Sequence, residues 1–89
     1  MDKQQLHGHL EELQAELRQV ESPDASHQEI IQSVARDVKE VLEKEGDHPQ
    51  RYSGLRERLS EAVAQLEASH PRTTMLMRQV IDQLAFLGI

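Results

Sequence analysis

At 89 residues the chain has room for one domain over residues 1–89 and one core, and a core of that size is marginal, because small domains bury a smaller fraction of their surface. Sixteen acids against ten Lys and Arg give a net charge of −6, which argues against binding nucleic acid by phosphate neutralisation. The absence of Cys removes disulfides, thiolate nucleophiles and Cys-type zinc sites together, and no run of about 18 apolar residues is present to span a membrane.

The opening Met1-Asp2-Lys3-Gln4-Gln5 lacks the apolar centre of a signal peptide, so a cytoplasmic protein is expected. Charge is unevenly spread. Residues 1–47 carry twelve acids and five bases, a net of −7, and residues 48–89 carry four acids and five bases, a net of +1. Two helical hairpins that attract each other within a bundle or a dimer would explain the asymmetry. Pro23, Pro49 and Pro71 divide the chain into four segments, each patterned at a helical period.

The first segment places Leu6, Leu10, Leu13, Leu17 and Val20 at steps of four and three. That is a heptad seam, the narrow stripe that packs one helix on a neighbour as in a coiled coil. Asp2 and Gln5 offer a capping box, and Met1 and Leu6 a hydrophobic staple. The helix is expected over about residues 3–20, roughly 27 Å long.

The second segment has a wider stripe of Ile30, Ile31, Val34, Ala35, Val38, Val41 and Leu42. The greater width predicts deeper burial. Two starts compete: Ser22-Pro23-Asp24, and the capping box Ser26-His27-Gln28-Glu29. Ser26 is favoured, with Ser22-Pro23-Asp24 as the turn. Gly46 is expected to end this helix, with Lys44 near its C-terminal dipole.

The third segment carries Leu55, Leu59, Ala62, Val63 and Leu66 behind a cap at Ser53, which makes residues 47–52 the longest connection. The fourth opens at Pro71. Proline disfavours helical geometry at the preceding His70, so a turn or kink belongs there. Its apolar set is Met77, Val80, Ile81, Leu84 and Leu87, flanked by Leu76 and Phe86. Gly88 suits a left-handed cap that would fold Ile89 back onto Leu84.

The expected architecture is all-α: a small up-and-down antiparallel bundle of three to four helices, with the second and fourth most buried. Three elements would result if the third and fourth segments formed one kinked helix, and such a bundle would dimerise.

Chemistry is sparse. No glycine pair has phosphate-loop spacing and no nucleophile elbow exists. His7 and His9 are two apart, on different helix faces. His48 and His70 precede prolines, where turn or capping duty is expected. The carboxylates read as solvated faces, because a bundle this small has little room for a cleft. The expectation is therefore no enzyme, no cofactor and no metal. The densest basic stretch, Arg51, Arg56 and Arg58, is interleaved with Glu57 and Glu61 and reads as a solvated face. One feature suits docking: the apolar stretch ending the chain, with Leu84, Phe86, Leu87 and Ile89 as candidate partner-binding residues. Phe86 lies off the stripe of Val80, Leu84 and Leu87, where an aromatic can anchor a partner. Ordinary core packing is the first reading of this stretch; as a docking surface, homodimerisation is the first expectation and another protein partner the second.

The stretches Leu-Arg-Glu-Arg-Leu-Ser-Glu-Ala-Val (55–63), Glu-Ala-Ser-His-Pro-Arg (67–72) and Leu-Gly-Ile (87–89), with Leu6, His7, Leu10 and Leu13 at the start, carry a resemblance. They resemble a family of short bacterial proteins classed as a domain of unknown function, some of whose members are labelled chromosome-partitioning proteins. The resemblance implies a bacterial helical domain and transfers no catalytic residue. The partitioning label suggests an alternative, a nucleic-acid-associated regulator. The partitioning ATPase itself is excluded, because the phosphate loop is missing.

Overall fold

The computed structural model describes residues 3–43 and 49–89. These form four helices: α1 (Lys3–Gln19), α2 (Ala25–Glu43), α3 (Pro49–Leu66) and α4 (Pro71–Phe86). The chain turns at residues 67–70, so the third and fourth segments are separate helices and not one kinked rod. The expected caps at Asp2 and Gly46, the Met1–Leu6 staple and the placement of Lys44 and His48 fall outside the described residues.

Each helix supplies one seam. On α1 it is Leu6, Leu10, Leu13 and Leu17; on α2 Ile31, Val34, Val38 and Val41; on α3 Leu55, Leu59, Ala62 and Leu66. On α4 it is Thr73, Met77, Val80 and Leu84. All four advance by alternating steps of three and four, the spacing that keeps one stripe facing a neighbouring helix. Every one of these side chains is buried. The helices pack in a ring: α1 on α2, α2 on α3, α3 on α4, and α4 back on α1.

Long-range pairs fix the directions. Glu16 meets Thr73 while Gln5 meets Gln83, so α1 and α4 run antiparallel. Arg51 reaches Glu40 and Arg58 reaches Ser33, so α2 and α3 do too. Glu67 meets Arg78 and Arg56 meets Ile89, which sets α3 against α4. The bundle is up-and-down, with extents of 37 × 21 × 19 Å.

Three sequence expectations need correction. The cap of α2 is Asp24, not Ser26. One Asp24 carboxylate oxygen accepts the backbone N–H groups of Ser26 at 2.9 Å and His27 at 3.2 Å, and the Ser26 hydroxyl donates to it at 2.8 Å. Gln28 Oε1 reaches back to accept the Ser22 N–H at 2.9 Å. The Ser26 hydroxyl, then the His27 and Ser26 N–H groups, hold the Asp24 carboxyl below its ordinary value. Second, α3 starts at Pro49, one turn before Ser53. A proline in the first turn has no N–H to leave unpaired, and the added turn packs half-buried Tyr52 on the core. Third, stripe width did not predict burial. Ile30, Ala35 and Leu42 on α2 stay half-exposed, whereas α1 also buries Gln14 and Glu16 beside its leucines. The innermost helices by this measure are α1 and α4.

Candidate interaction surface

The end of α4 closes as its sequence predicts. Gly88 takes φ +79°, a left-handed value that costs a residue without Cβ nothing. The Ile89 N–H donates to Leu84 O at 2.9 Å and the Gly88 N–H to Ala85 O at 3.0 Å, the paired bonds of a Schellman motif. Leu84 is fully buried in the seam, and Leu87 and Ile89 pack half-buried against the core. Three of the four expected docking residues therefore serve the fold. Phe86 differs: it lies two residues past Leu84, on the far side of the helix, and is 78% exposed.

Phe86 does not stand alone. Met75 is 48% exposed, and the two are three helical turns apart on one line. Gln79 and Asp82 lie between them, so Met75, Gln79, Asp82 and Phe86 repeat the four-three-four spacing of the seam on the opposite side of α4. Among the described residues these are the two large hydrophobics left exposed. Sequence reading found Phe86 and missed Met75, whose 11-residue spacing to Phe86 was the available signal.

Toward α1 this face opens into a shallow groove of about 370 Å³ lined by His9, Gln79, Asp82, Gln83 and Phe86. Gln83 Nε2 donates to Gln5 Oε1 at 3.3 Å. Two buried atoms here, His9 Nδ1 and Gln83 Oε1, have no hydrogen-bond partner. His9 Nδ1 lies 3.7 Å from Glu12 Oε1, too far for a hydrogen bond.

The arginines of α3 are engaged elsewhere. Arg51 pairs with Glu40 at 3.4 Å, and Arg56 Nη1 donates to Ile89 O at 2.7 Å. Arg58 bridges Asp37 and the Ser33 hydroxyl of α2. A phosphate would have to displace these contacts. His70 sits at the start of α4 with φ −135°, but its side chain makes no cap bond. It packs edge-on against His27, ring centroids 6.2 Å apart, so the expected turn position holds at His70 while a side-chain cap does not. Among the described residues no three His, Asp or Glu side chains converge as a metal would require, and no helix is long and apolar enough to cross a membrane.

No curated protein and no solved structure matches the chain. One family profile does, over residues 6–89, which takes in the seams of all four helices and the outer face of α4. The chain belongs to that family, described as Domain of unknown function (DUF4404).

Proposed function

We propose that this chain is a non-catalytic protein-interaction module that associates with itself. The observation that carries the reading is the outer face of α4. Phe86 and Met75 stand exposed on one line while the seam residues of all four helices are buried. Exposed aromatics in a line with a second apolar side chain are the usual anchors of an interface. The size of the domain supports the reading too, because a bundle this small gains from any further apolar burial. Its buried polar contact, Glu16 with Thr73, ties α1 to α4 and is not aimed into a cleft.

The alternative of a nucleic-acid-associated regulator draws no support from α3, whose arginines are occupied by Glu40, Asp37 and the Ile89 carbonyl. Sedimentation equilibrium over a range of concentrations tests the proposal. A mass rising from the 10.2 kDa monomer toward twice that value is expected. A mass fixed at the monomer value into the millimolar range would overturn self-association.

A further inference from the structure

We infer that two copies pair antiparallel along the outer face of α4, with Met75 of each against Phe86 of the other, about a twofold axis between Gln79 and Asp82. This deepens the self-association reading above and rests on it.

The pattern of the face carries the inference. Met75, Gln79, Asp82 and Phe86 follow steps of four, three and four, and their chemistry runs apolar, polar, polar, apolar. The stripe therefore reads the same from either end. A twofold interface requires such self-complementarity, because one patch must serve as both halves. Antiparallel pairing about the midpoint brings each Met75 level with the partner's Phe86, a sulfur–aromatic contact made twice. It brings each Asp82 level with the partner's Gln79, whose amide N–H can donate to the carboxylate.

Charge selects the same direction. Arg78 lies on the Asp82 flank of the face, half-exposed and already paired with Glu67 just past α3, so it adds only a secondary attraction to the partner. In the antiparallel pair it falls within one residue of the level of the partner's Asp82, giving opposite charges across the axis. A parallel pair in register would set Asp82 against Asp82 and Arg78 against Arg78. Like charges brought together disfavour that arrangement.

One helix face is a small interface, at the low end of those that hold proteins together. The dimer is therefore weak, with monomer and dimer exchanging at micromolar to millimolar concentrations. The two apolar pairs are its anchors, so Phe86→Asp should raise the dissociation constant about 30-fold or more. Phe86 is exposed, so this change leaves the monomer fold intact, which helical circular dichroism checks directly.

The chain has no cysteine, so single introduced cysteines report the axis without background. Copies of residue 79, or of residue 82, are offset along the axis by only about 4.5 Å in the proposed pair, and copies of residue 85 by about 13.5 Å. A disulfide spans about 7 Å between Cα atoms at most. Under mild oxidation Gln79→Cys and Asp82→Cys should give linked dimers, and Ala85→Cys should not. Sedimentation of the wild type and Phe86→Asp completes the test. A wild-type dimer undiminished by Phe86→Asp would overturn this surface while leaving self-association standing. A wild type monomeric throughout would overturn both. Linking at Ala85→Cys as efficient as at Gln79→Cys and Asp82→Cys would overturn the antiparallel axis.

Discussion

The α1–α4 and α2–α3 contacts are both antiparallel helix pairs, yet they use polar groups in opposite ways. Between α2 and α3 the seams are wholly apolar, and the charges sit at the rim. Arg58 is half-exposed where it meets Asp37, as is Arg51 where it meets Glu40. Between α1 and α4 a polar contact enters the interior. Thr73 occupies the first seam position of α4, 1% exposed, and its hydroxyl donates to Glu16 Oε2 at 3.0 Å. Arg72 Nε and Gln19 Nε2 approach the other carboxylate oxygen at 3.3 and 3.4 Å. Rim pairs are screened and contribute little. A buried carboxylate oxygen that lost its donor would forfeit part of the compensation for desolvation. The α1–α4 pair is thus fixed in one register by a contact that cannot slide, whereas the α2–α3 register rests on the shapes of Ile31, Val34, Leu59 and Ala62.

The largest effect tests what the two interfaces share. Leu10 is 2% exposed in the common core, and Leu10→Asp should cost on the order of 5 kcal/mol, comparable with the whole stability of a small domain. Loss of the cooperative circular-dichroism melt is the expected result, and an unchanged melt would break the seam assignment. Next comes Thr73→Val, which keeps the shape but removes the hydroxyl from Glu16. A loss of about 1–3 kcal/mol in urea unfolding is expected. A neutral result would place the α1–α4 contact in the same class as the rim pairs.

Arg58→Ala samples the other side of the comparison. Its removal from Asp37 should cost no more than about 1 kcal/mol and should matter less as salt rises. A loss equal to that of Thr73→Val would erase the distinction. The smallest effect lies outside both interfaces, at the start of α2. The folded Asp24 carboxyl is held below the 3.8 of the unfolded chain, so its contribution is complete above that value and fades as pH falls through the folded value. The melting temperature of Asp24→Ala should trail wild type at neutral pH, with the gap narrowing in acid below pH 3.8. A gap that held constant into strong acid would remove the charge from the explanation.

The seams were legible because burial is periodic. Leu6, Leu10, Leu13 and Leu17 are spaced for one face, and the structure buries all four. The C-terminal turn was legible too, since only glycine takes the φ found at Gly88 without cost. Local competitions were not. Ser26 and Asp24 are both good caps two residues apart, and Asp24 prevails because one carboxylate oxygen collects two N–H groups and the Ser26 hydroxyl as well. The polar interior was also hidden. Glu16 borders the seam beside Leu17, and nothing on α1 announces that its partner is a threonine 57 positions away. The candidate surface was half visible. Phe86 stands out as one of two aromatics, and the periodicity already set Leu84 and Leu87 on the inner stripe with Ile89 folded back on Leu84, whereas only their spacing joined Met75 to Phe86 until the helix had an outer side.

The ring of packed helices has a bearing on the order in which the molecule assembles. Three of its four contacts join helices consecutive in the chain, so their loops are short and inexpensive to close. The fourth joins the first helix to the last, and the Glu16–Thr73 bond closes a separation of 57 positions. Low-separation contacts form early in folding and distant ones late. The nucleus is therefore expected among the hairpins of consecutive helices, with the α1–α4 seam zipping last. On that route Thr73→Val would speed unfolding and leave the refolding rate nearly unchanged, whereas Val38→Ala would slow refolding. Refolding slowed by Thr73→Val as much as by Val38→Ala would reverse the order, and make the closing contact the one from which the bundle grows.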